Sequence, residues 1–209
     1  PRTDDKALLK LAEGEIPTVL MGTLPDSGLH AVDVDNRLAA RKAVEYLLNL
    51  GHKRIAFITN AALCYSSATE RLQGYKDALQ ASGIPLEEGI IRYADFDPGS
   101  GLDCMKSLLD CGNKFTAVFV ASDNVAMGVS SALKAAGLRI PNDISLVGFD
   151  DIPWAKYADP PLTTIHLPAQ ELARQACMTL IDLIQGIHVD EKILELDSHL
   201  IVRQSCRPL

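Results

Sequence analysis

FTAVFVASDNVAMGVSSALKAAGLRIPNDISLVGFDDIPWAKYADPPLTTI, residues 115–165, is the stretch whose reading decides the fold. Residues 116–121 form a short apolar run between polar flanks, the pattern of a strand buried on both faces. Ser122 and Asp123 follow, with side-chain oxygens suited to capping the amides of a helix's first turn. Ala126, Val129, Leu133 and Ala136 then recur at helical spacing, and Gly137 stands where a left-handed C-terminal residue is wanted. After the Pro141-Asn142 turn, a second strand over 144–149 ends in Asp150-Asp151. The unit is strand, helix, strand, with polar residues at the carboxyl ends of both strands. In open parallel sheets that edge binds small ligands.

The same grammar of helix, glycine stop and apolar run extends in both directions. The spacing predicts helices over 36–50, around 72–79, around 102–109 and over 168–185, stopped by Gly51, Gly83, Gly112 and Gly186. Strands are expected over 54–59, 89–93 and 116–121. Such alternation means crossover helices over a mostly parallel sheet, an α/β fold. The beginning differs: a helix over 4–13 precedes two strands, 18–21 and 31–34, with no strand before it. The chain therefore reads as starting inside an α/β unit, either truncated or completed by another chain, and truncation is the reading adopted. A sheet edge exposed at that break would invite pairing.

Composition bounds the function. A chain of 209 residues, 47% hydrophobic, can bury a substantial core. No run of eighteen or so apolar residues suggests a membrane span, and Pro1-Arg2-Thr3-Asp4 does not resemble an export signal. A net charge of -7 argues against direct nucleic-acid binding by these residues. Cys64, Cys104, Cys111, Cys177 and Cys206 show no C-x-x-C pairing and suit reduced thiols in a cytoplasmic protein. The histidines (30, 52, 166, 188 and 199) lie in no zinc-protease or nucleophile-elbow setting, and no glycine-rich phosphate loop is present, so no enzyme, metal or cofactor is expected. His52 follows a helix stop, where positive charge would suit the dipole.

PNDISLVGFDD (141–151), PPLTTI (160–165) and ASDNVAMG (121–128), with DVDN (33–36), LGHKRIAFI (50–58) and ERLQGY (70–75) in order, resemble the effector-binding domain of the lactose/galactose-repressor (LacI/GalR) family of bacterial transcription regulators. The resemblance covers nearly all of the chain. It implies two Rossmann-like parallel-sheet subdomains of the type I periplasmic-binding-protein kind around an effector cleft. Residues 1–35 with 166–196 would be a partial N-terminal subdomain, and 36–165 with 197–209 the C-terminal one. A DNA-binding headpiece, a hinge and the first strands would lie upstream of Pro1.

Carried over by position, Arg71 would be a cationic fork on the effector, Ser67 a hydroxyl one helical turn away, and Phe96 an aromatic wall. Ser122 and Asn124 would add donors and acceptors, Asp150 would accept from hydroxyl or amino groups, and Asp35 would contribute from the other subdomain. Plainer readings stand beside these. Arg71 could pair with Glu70 or Asp95 on a solvated surface, Asp123 reads as a helix cap, Phe96 as core, and Asp150-Asp151 as turn residues or successive strand positions pointing oppositely. Trp154 is unranked between cleft, interface and core. Gly22 stands where relatives often carry an effector-binding aspartate, Ala169 where some present an aromatic, and Tyr65 at a variable position.

The expectation is the sensing and dimerisation domain of a repressor, a homodimer that takes a small-molecule effector, a sugar rather than a purine, and meets operator DNA only through its headpiece. The alternative is a periplasmic sugar-binding protein with the same two-lobed architecture, which the absent export signal and unpatterned cysteines disfavour.

Overall fold

The computed structural model describes residues 1–112 and 114–209. Two sheets divide the strands. The smaller has three parallel strands in the order β1-β2-β8: β1 Val19–Met21, β2 His30–Val34 and β8 Ile193–Leu196. The larger runs β4-β3-β5-β6-β7-β9, with β3 Ile55–Ile58, β4 Ile91–Arg92, β5 Ala117–Val120, β6 Ser145–Asp150, β7 Thr163–His166 and β9 His199–Ile201. All its pairs are parallel except β7 with β9.

The alternation of side chains along the central strands builds a core on each face of the larger sheet. Ile55, Phe57, Phe119, Val147 and Phe149 face α2 (Asn36–Asn49) and α3 (Ser66–Ala81). Ala56, Ile58, Val118, Val120 and Leu146 face α4 (Pro98–Asp110) and α5 (Asp123–Ala135). Trp154 packs, half-buried, against this second core. The smaller sheet has one helix: Leu172 and Ala176 of α6 (Ala169–Ile184) pack on Val32 and Val34, while Met178, Ile181 and Ile184 stay exposed. The short α1 (Lys6–Ala12) is capped by Asp5 and buries none of its residues. Among the described residues, no helix is long and apolar enough to cross a membrane.

The expected helices and strands are present, most within a residue or two of the predicted ends. The helix predicted around 72–79 starts six residues earlier, at Ser66, because Ser66 and Ala68 are buried with Arg71 and Leu72. The strand predicted over 89–93 shrinks to two residues behind a 3-10 turn at Glu88–Ile90. Strands β7, β8 and β9 were not predicted: they are short, and two lie at sheet edges.

Within each helix pair on the larger sheet, glycine sets the approach. A methyl on Gly128 would fall on the Pro98 carbonyl, one on Gly101 would fall on the Val125 carbonyl, and one on Gly74 would fall on the Arg37 carbonyl. Gly128→Ala is expected to destabilise the protein by about 3 kcal/mol, since backbone cannot yield as a side-chain tip can. Gly112→Ala, at φ 65 with nothing nearby, should cost only about 1 kcal/mol of backbone strain. Urea unfolding of the two variants checks the contrast; equal losses would contradict it.

Candidate functional site

The carboxyl ends of the strands from both sheets meet around a cleft. Three cavities mark it: one of about 130 Å³ beside β2 and α3, one of about 200 Å³ beside Arg71, and one of about 740 Å³ beside β6 and α6. Asp33, Asn36 and Ser67 line both of the smaller two, and Leu167 lines the middle and large ones, so the three run together.

Arg71 stands at the centre. It rises from the buried face of α3, lies over the Phe149 ring at 3.6 Å and keeps 6% of its surface exposed. Its Nε donates to Asn36 Oδ1 at 2.8 Å, and Nη1 donates to the Ala121 carbonyl at 2.6 Å and faces Asp150 Oδ1 at 3.5 Å. Asn36 extends the chain of contacts: its Nδ2 donates to Asp33 Oδ1 and to the Val34 carbonyl. Asp33 also accepts from the amides of Thr23 and Val34. A continuous polar line therefore runs from the end of the smaller sheet to the end of the larger.

Asp150 closes that line. Besides Arg71, it accepts from the Ser122 hydroxyl and the Asp123 amide. Burial pushes its carboxyl above the ordinary range, with Arg71 and these two donors acting against the rise. Burial pulls the Arg71 guanidinium down, opposed by Asp150, Asp33 and Asp123. Each charge of the pair is thus costly alone and compensated by the other.

Several sequence readings are corrected here. Arg71 is not on a solvated surface: it is buried against Asp150. Ser122 precedes α5 but its side chain caps no amide, because the hydroxyl is turned to Asp150. Asp123 is not the cap either. It is the first residue of α5, fully buried, and accepts from the Ile152 amide at 3.0 Å and from Thr164 Oγ1 at 2.7 Å, which ties the loop after β6 to β7. Gly148 leaves the room, since a methyl there would fall on Asp123 Oδ1. Asp151 is not a strand residue. It follows β6 at φ 56 and holds Arg203 at 2.6 Å and His166 at 3.0 Å. His52 is not a dipole-paired cation: it is buried between Thr116 and the Arg207 carbonyl, and burial lowers its pKa.

Of the candidates, Arg71, Ser122 and Asp150 come together, with Ser67 lining the cavities beside them. Ser67 accepts from Asn60 Nδ2 at 3.2 Å. Asp35 caps α2 through the Leu38 amide and lines the smallest cavity. Phe96 is not core: it stands 44% exposed at φ 60, edge-on to Tyr65 with ring centroids 4.9 Å apart, and lines none of the three cavities. Asn124 is exposed and lines none of them either. Gly22 sits at φ 101 against Pro1, whose ring a methyl would meet at 2.7 Å, and Ala169 lines the largest cavity. Asp33 and Asn36 were missed as site residues. The signal was available, since they are polar residues at the end of a buried strand, as Asp150 is.

Residues 44–206 match the family model described as "Periplasmic binding protein-like domain". The chain belongs to that family, among the LacI/GalR members. This LacI/GalR domain is 37% identical over 205 residues to the transcriptional regulator CelR of Thermobifida fusca, covering 97% of the chain and 60% of CelR. It is 41% identical over 199 residues to the transcriptional repressor CytR of Escherichia coli K12, covering 93% of the chain and 57% of CytR. The chain thus spans less than two thirds of the length of these curated relatives. Among solved structures, the CelR–cellobiose complex superposes with a TM-score of 0.91 at 36% identity, over 98% of this chain and 63% of that one. A LacI-type regulator from Bacillus cereus superposes with a TM-score of 0.95 at 33% identity, over 100% and 74%. The fold of the LacI/GalR domain is therefore that of the type I periplasmic-binding-protein kind. These relatives are transcriptional regulators by name, neither enzymes nor transport receptors.

Burial pushes the Asp123 carboxyl up to about 7, from 3.8 in a free chain. Between these values the folded protein holds a proton that the unfolded chain has released, so this group lowers stability as pH rises from 4 to 7. Asp123→Asn should remove that slope, making the variant gain on the parent between pH 4.5 and pH 8. Urea unfolding at both values checks this, and parallel pH profiles would contradict it.

Proposed function

We propose that this chain is the effector-sensing and dimerisation domain of a bacterial transcriptional repressor. In this reading residues 1–35 with 166–196 form part of one subdomain and residues 36–165 with 197–209 form the other. A small polar effector, a sugar rather than a purine, lodges in the cleft between them. Arg71, Asp150, Ser122 and Ser67 contact it from the larger sheet, Asp35 from the smaller, and Phe96 and Asn124 meet it at the rim. The observation that carries the reading is the buried line Asp33–Asn36–Arg71–Asp150, which ends on open cavities at the carboxyl edges of both sheets. Polar groups so placed suit hydroxyl recognition.

The relatives support the sugar assignment. CelR is solved with cellobiose, and the chain is also 38% identical over 191 residues to the "Ribose operon repressor" of E. coli K12. No step in this reading is catalytic. The effector acts by favouring one closure state of the cleft, which alters how a homodimer presents its DNA-binding segments to operator half-sites. Those segments lie outside these residues, and the protein works in the cytoplasm.

Thermal-shift measurements against cellobiose, ribose, other mono- and disaccharides and purines test the reading. At least one sugar should raise the melting temperature in proportion to the logarithm of its concentration. Ser67→Ala and Asp150→Asn should each weaken that sugar about tenfold or more. Stabilisation by purines alone, or sugar binding indifferent to both variants, would contradict it.

A further inference from the structure

Asn60 follows β3 by two residues and serves the site from both its main chain and its side chain. Its carbonyl accepts from the Phe96 amide at 2.8 Å, and its Nδ2 donates to Ser67 Oγ at 3.2 Å. The turn that carries it is fixed without that side chain. The Thr59 hydroxyl donates to the Ala61 carbonyl at 2.7 Å and accepts from the Ala94 amide at 3.1 Å, while the Thr59 amide donates to the Arg92 carbonyl at 3.0 Å. Thr59 and Ala61 are both fully buried. Among the described residues, the bond to Ser67 is therefore what the Asn60 side chain adds.

That bond is held against a desolvation cost. Asn60 is 4% exposed, and among the described residues its Oδ1 is the one buried side-chain oxygen or nitrogen without a partner. Asn60 lines none of the three cavities, so its sealed carbonyl is not itself a ligand contact. A carbonyl that loses its hydration and meets no donor is uncompensated, and an apolar side chain of similar size would be as stable there or more so. An asparagine that stability does not call for directs attention to its other atom. Nδ2 occupies a lone pair of Ser67 Oγ, and a hydroxyl that accepts on one side keeps its hydrogen for another. Among the described residues no acceptor takes that hydrogen. Ser67 lines both smaller cavities, beside Asn36 in each and Arg71 in one, so the hydrogen is left to the cleft.

We propose that Asn60 is a positioning residue for the effector site: it holds the Ser67 oxygen so that the Ser67 hydroxyl donates into the cleft. The inference rests on the effector-site reading above. Ser67 is the second residue of α3, and its hydroxyl, left alone, is free to turn among staggered positions. The Asn60 amide selects one of them. An effector then meets a donor already aimed, which needs no ordering when it binds. The charged line is independent of this bond: Asp33, Asn36, Arg71 and Asp150 are joined to one another without Asn60.

Asn60→Leu refills the same space without the amide and Asn60→Ala empties it, and both keep the main-chain bond to Phe96. Titration calorimetry on the whole chain uses the tightest binder among cellobiose, maltose, lactose, glucose, galactose and ribose. Each variant should weaken that sugar about threefold or more, while at least one of the two melts within about 4 °C of the parent or above it. In a Ser67→Ala background the same substitutions should change affinity by less than about twofold, because the Asn60 side chain acts through Ser67. Losses of equal size in both backgrounds would overturn the proposal. So would a melting temperature lowered by more than about 4 °C in both variants, the mark of a merely structural side chain. Affinity unchanged in both overturns it and leaves the effector site standing. Binding of none of the six sugars by the parent overturns both.

Discussion

One buried guanidinium organises this molecule. Arg71 is nearly sealed from solvent, and a charge in that position is unfavourable unless every contact around it is made. The contacts come from four places in the chain: Phe149 beneath, Asn36 at one edge, the Ala121 carbonyl at the other and Asp150 across. Removing one partner of such a set characteristically costs about 3–5 kcal/mol, because the charge that stays behind is uncompensated. The ends of β2, β5 and β6 are therefore held in mutual register by a side chain from α3. That register shapes the cleft wall before any ligand arrives.

The same arrangement makes the join between the two sheets polar, while the cores are apolar. Val32, Val34, Leu172 and Ala176 form a core of their own, separate from the two cores that sandwich the larger sheet. Between them run Asp33, Asn36, Arg71 and Asp150, with Asp151 binding His166 and Arg203 nearby. Apolar cores resist sliding, whereas a line of hydrogen bonds can be exchanged for bonds to a bound polyol. In the proposed reading, an effector that makes such an exchange differently in two closure states would shift their populations.

Most of the fold was legible in the sequence because buried parallel strands and their crossover helices write periodic signals. Residues 115–165 alone gave strand, helix and strand, and the glycines at 51, 83, 112, 137 and 186 all take positive φ at helix ends. Strands β8 and β9 were not legible: ILEL and HLI are too short to show a period, and their pairing comes from partners far along the chain. The site was legible where a strand end pointed to it, as at Asp150 and Ser122. It was hidden where a residue had a local alternative. Asn36 and Asp33 look like part of a helix start, and Asp123 looks like a cap, because local and long-range hydrogen bonds use the same side chains. Only the sheet's lateral order shows that Asp123 reaches Thr164 and that Asn36 reaches Arg71.

The claim that Arg71 couples the two sheets is tested most directly by a double-mutant cycle on its two flanking partners, Asn36→Ala and Asp150→Asn, followed by urea unfolding at pH 7. If both side chains act through the same buried guanidinium, the first loss frees Arg71 to find water, and the second should then cost less than it does alone. The expected result is a double variant more stable than the sum of the single losses by about 1 kcal/mol or more. Losses that add to within about 0.3 kcal/mol would mean that the two partners do not work through Arg71, and would contradict the account.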